Sequence, residues 1–158
     1  MSSTVAQIRT LFLEPQPSYT LAEAATLLDM PGRDVGAWIE SGELEGEDNG
    51  KGMVMPWPEL ASFALELWSQ ETVEGSLGTD VADVLPELLR LTDLDVRIPR
   101  MHVVTLERLA SRDGKTVSAV LARELRDLVS EHAPWLSAEV PGFAAACDWP
   151  ELPGAAIL

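Results

Sequence analysis

One cysteine, Cys147, leaves this 158-residue chain with no intrachain disulfide and no cysteine-based zinc site. Its two histidines, His102 and His132, stand too far apart for metal-ligand spacing. Basic residues are scarce, with 11 against 26 acids, for a net charge of −15. That balance argues against broad, non-specific binding to nucleic acid. No apolar run approaches the ~20 residues needed to span a membrane, and no charged-then-apolar leader opens the chain. Both absences point to a soluble, cytoplasmic protein with no membrane partner. There is also no glycine-rich phosphate loop, histidine metal motif or nucleophile elbow. The expectation is therefore a non-enzyme with no catalytic residue, no metal and no cofactor. Acid pairs such as Glu45/Glu47 and Asp93/Asp95 are read as solvated charge.

The few cations are unevenly placed. Residues 1–70 carry Arg9, Arg33 and Lys51 against eleven acids, residues 71–92 carry Arg90 against five, and residues 133–158 carry three acids and no base. Residues 93–132 hold seven bases and seven acids. If the chain touches DNA, this balanced segment is where phosphates meet least repulsion.

The same segment has the clearest pattern. Leu94, Val96 and Ile98 alternate with Asp95, Arg97 and Pro99, the period of a half-buried strand over 94–98. Pro99 ends the strand, and Val103, Leu106, Leu109 and Ala110 mark a helix. Asp113-Gly114 breaks that helix, and Val117, Val120, Leu121, Leu125 and Leu128 mark another. A lone strand cannot satisfy its backbone hydrogen bonds, and no hairpin partner lies nearby. The simplest remedy is the same strand from a second copy, giving a two-fold homodimer.

The run Arg97-Ile98-Pro99-Arg100, then Ala110, then Gly114-Lys115-Thr116-Val117-Ser118 resembles the ribbon-helix-helix (Arc/MetJ-like) family of DNA-binding repressors and antitoxins. The resemblance covers residues 93–132. It implies that the ribbon enters the major groove and that the second helix start grips a phosphate, both physically sound. The implied DNA-binding residues are Asp93, Asp95 and Arg97 on the ribbon, with Arg100 beside them and Lys115, Thr116 and Val117 as the phosphate clamp. Two acidic readers depart from the family pattern.

Residues 18–70 read as a separate module. Thr20-Leu21-Ala22-Glu23 is a capping-box pattern, since Thr20 and Glu23 can satisfy each other's free amides at a helix start. Leu21, Ala24, Ala25 and Leu28 give that helix its buried stripe. Asp29-Met30-Pro31-Gly32 turns the chain into a second helix with Val35, Trp38 and Ile39, closed by Ser41-Gly42. Asp48-Asn49-Gly50 predicts a hairpin, and Pro56-Trp57-Pro58-Glu59 opens a last helix. The runs Tyr19 to Ala25 and Trp38 to Leu44, with Pro56 to Leu60, resemble the excisionase/MerR-like winged helix-turn-helix family. That resemblance implies Arg33 and Lys51 as phosphate contacts. The surrounding Asp34, Glu40, Glu43, Glu45, Glu47 and Asp48 favour instead a scaffold reused to hold protein partners.

The remaining segments complete a mainly α fold with small β elements. Residues 1–17 suit an amphipathic helix with Val5, Ile8, Leu11 and Phe12, closed by Pro15-Gln16-Pro17. Residues 71–92 read as an acidic linker, flexible near 71–79 and carrying a short helix at 80–91. Residues 133–158 combine Pro134, Pro141, Pro150 and Pro153 with Trp135, Leu136, Val140, Phe143, Trp149, Leu152 and Ile157. So apolar a tail needs a surface. It either wraps back on its own helices or acts as an arm for a partner, with Trp135, Phe143 and Trp149 as anchors and Asp148 and Glu151 facing basic groups. The combined expectation is a dimeric, DNA-binding repressor of antitoxin type whose arm covers a basic toxin. The alternatives are a transcription or excision regulator without a toxin, and an acidic interaction adaptor.

Overall fold

The computed structural model describes residues 3–150, which form two compact units: residues 3–91 with 145–150, and residues 92–144. The chain is mainly helical, with one small antiparallel sheet. Glu151, Leu152, Pro153 and Ile157 lie outside the described residues.

The first unit is built around α1 (Ser3–Leu13), which buries Ile8, Leu11 and Phe12 at the spacing of one helical face. Strand β1 (Ser18–Thr20) leads into α2 (Leu21–Leu28) through the expected capping box. The Thr20 hydroxyl accepts from the Glu23 amide at 3.3 Å, and the Glu23 carboxylate accepts from the Thr20 amide at 2.8 Å. Helix α3 (Gly32–Ser41) stops at Gly42, whose φ of 79° permits the left-handed turn that ends a helix. Strands β2 (Glu47–Asp48) and β3 (Met53–Pro56) flank the Asn49-Gly50 turn, where the Asp48 carboxylate accepts from the Gly50 amide at 2.8 Å. β3 is the central strand, pairing Tyr19 with Met55 on one side and Glu47 with Val54 on the other. Helix α4 (Trp57–Leu67) begins with Trp57, whose buried indole N–H donates to the Leu11 carbonyl at 2.8 Å. That bond satisfies the polar handle of an otherwise apolar ring.

Residues 71–92 are not a linker. Helix α5 (Gln70–Leu77) packs on α1 and buries Val73 and Leu77, four positions apart, while Gly75 stays on the exposed side. Its start is capped by the Ser69 hydroxyl, which accepts from the Thr72 amide. At its end the Arg9 guanidinium donates to the Ser76 and Leu77 carbonyls at 3.3 and 3.2 Å, supplying donors that a helix terminus otherwise lacks. The expected helix over 80–91 is also shorter than predicted: α6 (Val81–Val84) is a single turn, flanked by 3₁₀ turns at Gly78–Asp80 and Glu87–Leu89. Pro86 has no amide to continue α6. Leu85 is nevertheless buried, and the Leu91 amide donates to the Glu74 carboxylate at 3.1 Å.

The second unit holds α7 (Arg100–Asp113), α8 (Val117–Glu131) and α9 (Ala133–Glu139), while α10 (Phe143–Cys147) runs across the boundary between the units. Helices α7 and α8 pack on each other, with Ala110 and Val120 buried. The strand expected at 94–98 is not formed in the single chain: residues 91–99 carry no regular structure and residues 92–98 make no backbone hydrogen bond. The reason is physical, since a strand exists only through a partner to exchange bonds with.

Candidate nucleic-acid interface

Within the second unit, the turn between α7 and α8 is tightly specified. Gly114 ends α7 at φ 61°, and the Lys115 amide folds back onto the Ala110 carbonyl at 2.9 Å. Thr116 then caps α8, its hydroxyl accepting from the Ala119 amide at 3.1 Å. The first turn of a helix carries amides without intrahelical partners and a partial positive charge. Here no acid stands in that turn, and Lys115, Thr116 and Val117 are all exposed.

A carboxylate holds the two helices in this arrangement. Asp113 accepts from Arg112 at 2.8 Å and from Arg123 at 3.1 Å, so it links the end of α7 to the second turn of α8. The Arg112 hydrogen bond, then that from Arg123, holds the Asp113 carboxyl down to about 2. Arg123 also pairs with Glu124 at 3.1 Å. Two of the seven cations of residues 93–132 are therefore occupied. Among the described residues, Arg97, Arg100, Arg108 and Lys115 make no ion pair, and all four are exposed. The Asp113 link and Arg108 were not among the expected site residues. The only sequence cue to the link was an acid at a helix end with an arginine ten residues on.

The ribbon residues Asp93, Asp95 and Arg97 are exposed, and so is the apolar row beside them. Leu94 is 78% accessible, Val96 52% and Ile98 41%. Met101, Val104, Val117, Leu125 and Val129 on α7 and α8 are exposed as well. So many exposed large apolar side chains in so small a unit exceed the scatter usual on a monomer's surface.

The first unit presents the opposite electrostatics. Arg9 is committed to Asp80 at 2.6 Å, and Arg33 lies 3.5 Å from Asp34. Lys51 sits exposed at the hairpin turn, where its amide donates to the Asn49 side chain. Around it, burial raises the Glu59 carboxyl above its usual value, and repulsion from Glu45 and Glu47 raises it further. Carboxylates crowded enough to repel one another would repel phosphates too. Arg33 and Lys51 belong to the first unit.

The three expected partner anchors separate. Trp149 packs within the first unit, its ring 6.5 Å from that of Trp57 and its N–H donating to the Val84 carbonyl at 3.0 Å. This packing follows the first of the two alternatives for the tail, in which it lies on its own chain. Phe143 is half-buried at the start of α10. Trp135 is exposed on α9, its ring 6.4 Å from that of His132.

Among the described residues no cluster of three or more metal-ligating side chains occurs, and no helix is long and apolar enough to cross a membrane. No protein-family model, curated protein or solved structure matches the chain.

Proposed function

We propose that the chain is a dimeric DNA-binding repressor of antitoxin type. The observation that carries this reading is the accessible series of Leu94, Val96 and Ile98 in a unit that also holds four exposed cations without an ion pair among the described residues. A second copy would cover the row with an identical one, as a two-fold interface requires. The ribbon so formed, with two helical hairpins behind it, would be the ribbon-helix-helix module, and the dimer would double the set of free cations. Lys115, Thr116 and Val117 would hold a phosphate at the start of α8, with Arg100 as a neighbouring contact. The first unit, with its helix-turn-helix-hairpin-helix order, would serve as a winged helix-turn-helix whose acidic hairpin faces a basic protein. Trp135 on α9 would add an apolar anchor to that partner surface.

The packing of Trp149 against its own core favours a second reading, a regulator of the same dimeric form without a toxin. Sedimentation of the purified chain, with fluorescence anisotropy on a labelled duplex from upstream of its own gene, tests the shared part. A folded monomer at micromolar concentration, or equal affinity for unrelated duplexes, would overturn it. Co-purification of a small basic protein in stoichiometric amount would separate the antitoxin from the plain regulator.

A further inference from the structure

We infer that Arg97 is an ion-pairing residue of the two-fold interface, set opposite Asp95 of a second copy, and that this pair fixes the register of the ribbon. The inference rests on the dimer proposed above and adds what specifies it.

In an extended chain Leu94, Val96 and Ile98 share one face, and Asp93, Asp95 and Arg97 the other. Two identical antiparallel strands related by a two-fold axis set residues of like face directly opposite. Within this segment the axis then passes at the level of Asp95, Val96 or Arg97. An axis at Arg97 opposes two guanidinium groups. An axis at Asp95 sets Asp93 against Arg97 twice, but it opposes two carboxylates at the axis itself and leaves Ile98 facing Thr92. An axis at Val96 opposes Leu94 to Ile98, Val96 to its own copy, and Asp95 to Arg97, twice by symmetry. Opposite charges directly across a strand pair stabilise it and like charges destabilise it. Only the Val96 register combines two attractive pairs with no repulsive one and an apolar row with no polar intruder. It also places Pro99 opposite Asp93 at the end of the ladder, where a missing amide costs least.

Two further observations agree. Among the described residues Arg97 makes no ion pair, whereas Arg112 and Arg123 do. One of the two aspartates on a face offered to DNA also gains a reason: Asp95 holds Arg97 across the axis. DNA contact then falls to Arg100 and Lys115.

The test is a charge exchange in the full chain, read as the dimer dissociation constant by sedimentation. Asp95→Arg sets arginine against arginine, and Arg97→Asp sets aspartate against aspartate. Each is expected to weaken the dimer by roughly ten-fold or more, with two pairs inverted per dimer. The double variant Asp95→Arg/Arg97→Asp restores both pairs only if position 95 faces position 97, and is expected to dimerise close to wild type. A double variant as weak as the single ones would overturn the register. A wild-type chain that stays monomeric would instead overturn the dimer beneath it. Val96→Cys in a Cys147→Ser background gives an independent reading, since the two residues on the axis would be near enough to bridge. Failure of that bridge to form in a chain that still dimerises would also overturn the register.

Discussion

The Trp149 ring meets the Trp57 ring edge-on, at 6.5 Å and 80°, and so joins the C-terminal segment to the start of α4. With its N–H on the Val84 carbonyl, Trp149 also holds the irregular stretch that follows α6. Trp149→Ala should therefore destabilise the first unit by about 2 kcal/mol, below the range for a fully buried aromatic because this ring is only partly covered. Urea denaturation followed by tryptophan fluorescence, with Trp135 replaced by Phe in both proteins so that the signal comes from the first unit, checks this. An unchanged midpoint would return Trp149 to the role of a free anchor.

The Asp113 link makes the second unit sensitive to acid. Its carboxyl sits at about 2 in the folded chain, against an ordinary value of 3.8, because Arg112 and Arg123 favour the charged form. The stabilisation is complete above about pH 4 and is lost as pH falls through about 2. Asp113 is solvent-accessible enough for salt to weaken the effect. Asp113→Asn should flatten this part of the pH profile of helix content, measured by circular dichroism between pH 2 and 5. A variant that keeps the wild-type profile would show that the link contributes nothing.

How much of this was legible follows from the range of each signal. The capping box of Thr20 and Glu23 and the Asn49-Gly50 turn are local chemistry, and both stand where the sequence places them. Helix α5 reads as a joint in the sequence because Gly75 and Ser76 interrupt a pattern of only two apolar residues. Its helix is decided by packing of Val73 and Leu77 against α1 and by Arg9 at its end, neither of which lies within the segment. The docking of Trp149 spans the chain from end to end and carries no local signal. The hairpin of α7 and α8 was legible from periodicity and Asp113-Gly114, but which cations remain free depends on Asp113 meeting Arg123 across the turn.

Lys115 stands exposed before the first turn of α8 and makes no ion pair. Lys115→Ala should weaken binding to the upstream duplex and lower the slope of log affinity against log salt by about 0.9 for each phosphate no longer neutralised. A dimer would present this lysine twice. Arg33→Ala and Lys51→Ala, set among acids, should leave the slope nearly unchanged. Anisotropy titrations across a salt series separate these outcomes, and equal weakening at all three positions would assign DNA binding to both units.

Arg97→Ala should act on DNA indirectly. If its partner is an aspartate across the axis, the fall in affinity comes from fewer dimers and should disappear once protein concentration is high enough to restore them. Val96→Lys gives the sharper case, because it would set two ammonium groups against each other inside an apolar row, an uncompensated burial that costs several kcal/mol. The variant should be monomeric at concentrations where the wild type is dimeric, and should lose DNA binding. Its first unit should still unfold at the wild-type midpoint, since Val96 lies outside that unit. Sedimentation velocity and tryptophan fluorescence on the same samples, in a Trp135→Phe background that confines the signal to the first unit, measure both effects. Wild-type dimerisation by Val96→Lys would show that the row of Leu94, Val96 and Ile98 is not where the two copies meet.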